Sequence, residues 1–144
     1  MPSGAIPAYG TLFQRETTPA SGVYETVAEV RSMTILSMKA ETIDVTTHSS
    51  AAAGAWREKI SSLIDPGEAT FAINLIPSSS GHKAFLADFV GRVKTNFKIV
   101  FPDVGNTFWI FAGFVTGFSA KSETDGVLEA DITVMATGAP TFPA

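Results

Sequence analysis

Cysteine is absent from the 144-residue sequence. That removes disulfides, thiol nucleophiles and thiolate metal sites together. Positive charge is scarce: 10 Lys and Arg against 14 Asp and Glu give a net charge of −4. Surfaces that grip nucleic acid carry a basic excess to neutralise phosphates, so tight DNA or RNA binding is not expected. No window approaches the roughly 20 apolar residues of a membrane-spanning helix. The longest apolar stretch, Thr107 to Phe118, is too short and contains Gly113 and Gly117. The N-terminus, Met1 to Pro7, has neither the basic start nor the apolar core of a secretory signal. Synthesis and assembly in a cytoplasm are therefore expected.

Histidine is nearly absent too, with only His48 and His82. Several serines flank them, but none lies in a Gly-x-Ser-x-Gly elbow, and no orienting acid stands in a recognisable relation. Both read as surface or capping residues. Asp44 and His48 are close in sequence, yet no third metal ligand accompanies them. The glycines form no phosphate-cradling loop. No catalytic site, cofactor site or metal site is expected, and the chain is read as a non-enzyme.

What is present is apolar and β-prone. The apolar fraction is 45% and the charged fraction 17%, the composition of a globular chain with a real core. The 11 phenylalanines suggest that some apolar surface is buried between subunits. Residues 1–22 are rich in Pro, Gly, Ser and Thr and read as an extended arm, with Tyr9, Leu12 and Phe13 as anchors. Residues 23–144 read as a single β domain.

Short strands are expected at Val27–Val30, Thr42–Thr46, Ala69–Ile76 and Phe97–Phe101, by alternation and β-branched or aromatic content. Thr107–Phe118 is apolar on both sides. Phe108, Ile110, Phe114 and Phe118 fall on one face, and Trp109, Phe111 and Val115 on the other, the pattern of a strand covered on both sides. In Val127–Thr137, Leu128, Ala130, Ile132, Val134 and Ala136 share one face. Asp125-Gly126 between these last two segments predicts an antiparallel hairpin from Thr107 to Thr137. One helix is expected over Gly81–Val93, where Phe85, Phe89 and Val93 recur at i, i+4, i+8 beside Leu86 and Val90. Ser79 or Ser80 can cap it. Trp56–Ile64 fits a helix, a strand or an ordered flap, and ends at Asp65-Pro66-Gly67.

Two groups stand out as candidate functional residues. Glu129 and Asp131 lie on the polar face of one strand. They are either a solvated surface or the lining of a wide, wet channel. The loop from Thr46 through Thr47, His48, Ser49 and Ser50 to Trp56 has little chemistry of its own, as befits a segment ordered by a partner.

Taken in order, Ile43-Asp44-Val45-Thr46-Thr47-His48, Trp56-Arg57-Glu58 through Leu63-Ile64-Asp65-Pro66-Gly67-Glu68, Phe71-Ala72-Ile73-Asn74-Leu75-Ile76-Pro77, Ala84-Phe85-Leu86-Ala87-Asp88-Phe89, Lys98-Ile99-Val100-Phe101-Pro102, Phe111-Ala112-Gly113-Phe114-Val115 and Gly138-Ala139-Pro140-Thr141 resemble the siphophage major tail tube protein family. The resemblance runs from about Val27 onward. It implies a mainly β fold with one flanking helix, an antiparallel β-sandwich or half-barrel that completes a β-barrel in a ring oligomer. It implies a structural virion protein forming stacked hexameric rings around a tape-measure protein, with tail tip and terminator proteins as further partners and DNA only in transit. The acidic balance suits passage of a polyanion. Glu129 and Asp131 would then face the lumen or the subunit seam, and Thr46 to Trp56 would form a stacking loop. Some members carry an extra immunoglobulin-like domain, which is not expected here because the sequence ends at Ala144. A secretion-system tube, another tail ring component and a small ligand-binding β-barrel remain as alternatives.

Overall fold

A computed structural model describes residues 3–18, 20–47, 54 and 56–142. It contains nine strands and one helix among those residues. The strands are β1 (Leu12–Glu16), β2 (Tyr24–Thr26), β3 (Val30–Thr34), β4 (Lys39–Asp44), β5 (Lys59–Asp65), β6 (Glu68–Asn74), β7 (Thr95–Val100), β8 (Phe108–Lys121) and β9 (Glu129–Thr141); the helix α1 is Ser80–Gly91. Seven strands form one antiparallel sheet in the order β2-β1-β7-β8-β9-β6-β3, and β4 and β5 form a separate two-stranded sheet. The mainly β reading and the hairpin of β8 with β9 are both present.

Alternation decides which face of the sheet is covered. β6 buries Ala69, Phe71 and Ile73, β7 buries Thr95, Phe97 and Ile99, and β9 buries Ala130, Ile132, Val134 and Ala136. Five phenylalanines meet on that side. Phe13 lies 4.4 Å from Phe71 and 5.8 Å from Phe97, and Phe85 of the helix lies 5.3 Å from Phe71 and 6.1 Å from Phe97. Phe111 completes the group at 5.6 Å from Phe97. Such ring pairs add about 0.5–1.5 kcal/mol each beyond area burial.

The sheet is strongly curled but not closed. β2 and β3 lie at opposite edges, yet Thr26 and Val30 are four residues apart in the chain. At 3.8 Å per residue the two edges can be no more than about 15 Å apart there. Val27 drops into the core between them, and Glu29 makes the reversal in the left-handed region, at φ 62°. The sequence places one strand over Val27–Val30; the chain instead splits there, because Val27 is needed below the sheet.

Three further expectations are revised. Within residues 1–22, Leu12–Glu16 pair with both β7 and β2, so this stretch is an integral strand with Phe13 in the core. β8 is covered on one face only: Phe111, Gly113 and Val115 are buried, whereas Phe114 is exposed. An extra residue at Thr116, where the pairing shifts between Val115 and Gly117, reverses the alternation and turns Phe118 to the core side opposite Ile132. The third concerns α1. Its buried stripe is His82, Phe85 and Asp88, so Leu86, Phe89, Val90 and Val93 face outward.

Polar groups fix that rotation of the helix. Arg15 of β1 makes a two-pronged ion pair with Asp88, at 2.7 and 2.8 Å. His82 accepts the Ile76 N–H at Nδ1 (3.0 Å) and meets the Ala28 carbonyl at Nε2 (2.8 Å). A ring protonated at Nε2 satisfies both, so His82 is a buried fastener and not a surface or capping residue. Ser79 is the N-cap but makes no side-chain cap bond.

Candidate functional site

The hairpin β4–β5 is set apart from the body. Trp56–Ile64, whose type the sequence leaves open, supplies most of β5. Its base is pinned at Gly67, in the left-handed region at φ 78°, where a Cβ would lie 2.1 Å from the Ser37 carbonyl oxygen. Gly67 also receives the Ala136 N–H at 2.9 Å, which ties the turn to β9. At the other end, the Asp44 carboxylate receives the Thr46 N–H at 2.9 Å and faces Arg57 at 3.6 Å. The Thr46 hydroxyl, then its backbone N–H, hold the Asp44 carboxyl below the usual carboxylate range. Thr46 also accepts the Glu58 N–H at 2.9 Å, closing the two arms together.

Of the proposed stacking loop, Thr46, Thr47 and Trp56 are described, and all are exposed, Trp56 by 77%. His48, Ser49 and Ser50 lie outside the described residues. Every residue of β4 is exposed. Ile60, Leu63 and Ile64 of β5 are exposed as well. This much apolar side chain on a projecting hairpin is the mark of a contact surface.

The second surface is the uncovered face of the large sheet. Glu129 and Asp131 both lie on it, since Ala130 and Ile132 point inward. Their surroundings differ. Glu129 is paired with Arg31 of β3 and lies 3.5 Å from Lys121 of β8. Asp131 makes no ion pair among the described residues; it lines a shallow groove of about 310 Å³ with Ser32, Thr34, Thr70, Ala72 and Thr133. The face is hydroxyl-rich, and its charges nearly balance. The cations were invisible to a reading of one strand, because Arg31 and Lys121 reach Glu129 only through the pairing of β3, β6, β9 and β8.

Toward the other end the same face turns apolar, with Phe114 opposite Met135 and Phe108 opposite Val100. Lys98 lies over the Phe108 ring at 4.2 Å. Along β8 the core side is packed with rings, Phe111 lying 6.5 Å from Phe13 and 5.6 Å from Phe97. Among the described residues, no group of three or more His, Asp or Glu is placed to hold a metal. No helix there is long and apolar enough to cross a membrane.

Comparison with known proteins adds an independent finding. The model of the lambda phage tail tube protein family matches residues 9–143. No curated protein matches the sequence. The fold is similar to that of a chain in the tail of an empty gene transfer agent particle with C6 symmetry, at 23% identity and a TM-score of 0.81, covering 97% of this chain and 100% of that one. A chain in the virion of a native gene transfer agent particle is similar at 21% identity and TM-score 0.79, with 97% and 100% covered. The SPP1 tail tube is similar at 10% identity and TM-score 0.70, with 95% and 80% covered.

Proposed function

The chain belongs to the lambda phage tail tube protein family, and from its role as a structural tail tube subunit we propose how it builds the tube. Six copies stand side by side in a ring, and the curled sheets join across their edges. The uncovered, hydroxyl-rich face lines the lumen. Rings stack through the hairpin tip, Thr46 to Trp56, and through the segment ahead of β1. A tape-measure protein fills the lumen during assembly in the host cytoplasm, tail tip and terminator proteins close the two ends, and DNA passes later. Catalysis has no part in this.

The observation that carries the reading is the one-sided sheet. Seven strands cover a core on one face and leave the other bare, with two short strands, β2 and β3, at the edges, each paired on one side only in the described sheet. A free monomer would expose both the edges and the face, a liability that ring closure removes. Glu129 is tied within its own sheet by Arg31 of β3 and Lys121 of β8. Asp131 is the carboxylate presented to the lumen. Six such groups per ring repel a polyanion weakly.

Electron microscopy of the purified protein over a concentration series, with and without purified tail-tip complexes, tests the reading. Hollow rings or tubes are expected. A uniform monomer under both conditions refutes it. Deleting residues 49–54 tests the stacking role separately: isolated rings without long tubes are expected, and tubes of normal length and rate count against that role.

A further inference from the structure

Two apolar surfaces are left exposed among the described residues. The first is the outer side of α1, where Leu86, Phe89, Val90 and Val93 are exposed, Val90 by 73%. The sequence has a helical apolar stripe there, but His82, Phe85 and Asp88 have taken the inward position. The second is one face of the β4–β5 hairpin. Ile43 stands directly opposite Ile60 in the pairing, and Val45, beyond the strand end, continues the face toward Glu58. The hairpin pairs with no strand of the large sheet.

We propose that in the assembled tube the Ile43–Ile60 face of one subunit's hairpin docks on the outer face of α1 of a neighbouring subunit. This rests on the tube-subunit reading above and adds the partner surface for the hairpin arm. Charge argues for this occupant. The exposed charges on and just after α1 are Lys83, Arg92 and Lys94, all basic, while Asp88 is buried in its ion pair. The hairpin face carries Glu41, Glu58 and Asp65 around its apolar centre, with Lys39 the one base. An acidic rim around an apolar centre meets a basic rim around another, which fixes register and speeds encounter.

Dimensions agree as well. A 12-residue helix is about 18 Å long at 1.5 Å per residue, and a seven-residue strand spans about 23 Å at 3.3 Å per residue. The two surfaces differ from each other, so the contact is head-to-tail and repeats from subunit to subunit without using itself up. That is the kind of contact a growing tube needs.

The absence of cysteine makes the test direct. Single cysteines are placed at position 43, 45 or 60 in one preparation and at 86, 90 or 93 in another. The two are co-assembled and treated with a short bis-maleimide. Cross-linked dimers are expected in tubes and not in unassembled protein at the same concentration. Tubes that form with no cross-link for any pairing overturn the proposal and leave the tube reading standing; failure to form any assembly under the conditions above overturns both. Val90→Asp gives a second readout. The side chain is exposed in the monomer, so its melting curve should be unchanged, while the concentration needed for assembly should rise about tenfold or more, equivalent to about 1.4 kcal/mol. An unchanged assembly threshold contradicts the docking.

Discussion

Removing one partner of the Arg15–Asp88 pair should be among the costliest single changes in the molecule. Their side chains are 13% and 6% exposed, and two hydrogen bonds of 2.7 and 2.8 Å join them. At about 4 Å between charge centres and an effective dielectric near 20, the attraction is about 4 kcal/mol. Asp88→Ala leaves a guanidinium between β1 and α1 with no counter-charge, and Arg15→Met leaves the carboxylate in the same position. Each should cost about 3–5 kcal/mol. A domain of this size has about 5–15 kcal/mol in total. With a urea m-value of about 2 kcal/mol/M, the unfolding midpoint should fall by about 2 M. The double variant Arg15→Met, Asp88→Leu should recover most of the loss, because both desolvation penalties vanish together. The assay is urea unfolding of the monomer followed by circular dichroism, at a concentration below assembly. Single-variant losses below about 1 kcal/mol, the range of exposed ion pairs, would refute the argument that burial makes this pair costly to break. A double variant no better than the worse single would refute the pairwise reasoning.

Other expectations follow from particular contacts. Gly67→Ala should lower the melting temperature markedly, because the positive φ and the 2.1 Å approach to Ser37 penalise a Cβ together; the backbone term alone is about 1–2 kcal/mol. His82→Phe removes the partner of the Ile76 N–H and of the Ala28 carbonyl at a part-buried site, and thermal unfolding should report a loss of about 1–3 kcal/mol. The Asp44 carboxyl is held below its usual range by Thr46, so its contribution is fully present above the unfolded-state value and is lost as pH falls through the folded-state value. NMR titration of the carboxyl carbon should show that lowered midpoint in the wild type and its return toward the usual range in Thr46→Ala; an unmoved midpoint refutes the assignment. Deleting Thr116 removes the extra residue of β8 and leaves Gly117 opposite Thr133 and Phe118 opposite Ile132, so Phe118 should stay on the core side, seen as unchanged dye binding; increased dye binding would refute this reading of the bulge.

Much of the chain was legible because local pattern and burial agree. Alternation placed Phe71 and Ile73, Phe97 and Ile99, and Ala130 to Ala136 correctly on the inner side of their strands, and Asp125-Gly126 marked the connection from β8 to β9. The ordered motifs pointed to the family that the comparison then established. Other features hide from local reading. β1 lies in a Pro-, Gly- and Thr-rich stretch with one strong core residue, Phe13, and is a strand because β7 and β2 pair with it. The face change in β8 comes from a bulge, which depends on the neighbouring strand and not on the strand itself.

The sequence alone determined the β character, the place of the helix, the absence of thiol chemistry and the family. These rest on composition and on periods of two and 3.6, which each segment carries by itself. The tertiary structure alone decided which side of α1 is buried, because a buried ion pair and a buried histidine from distant segments outrank the helix's own apolar stripe. It also decided that Glu129 is neutralised while Asp131 is not, since Arg31 and Lys121 come to one of them only through sheet register. Periodicity is a property of a segment; partnership is a property of the fold.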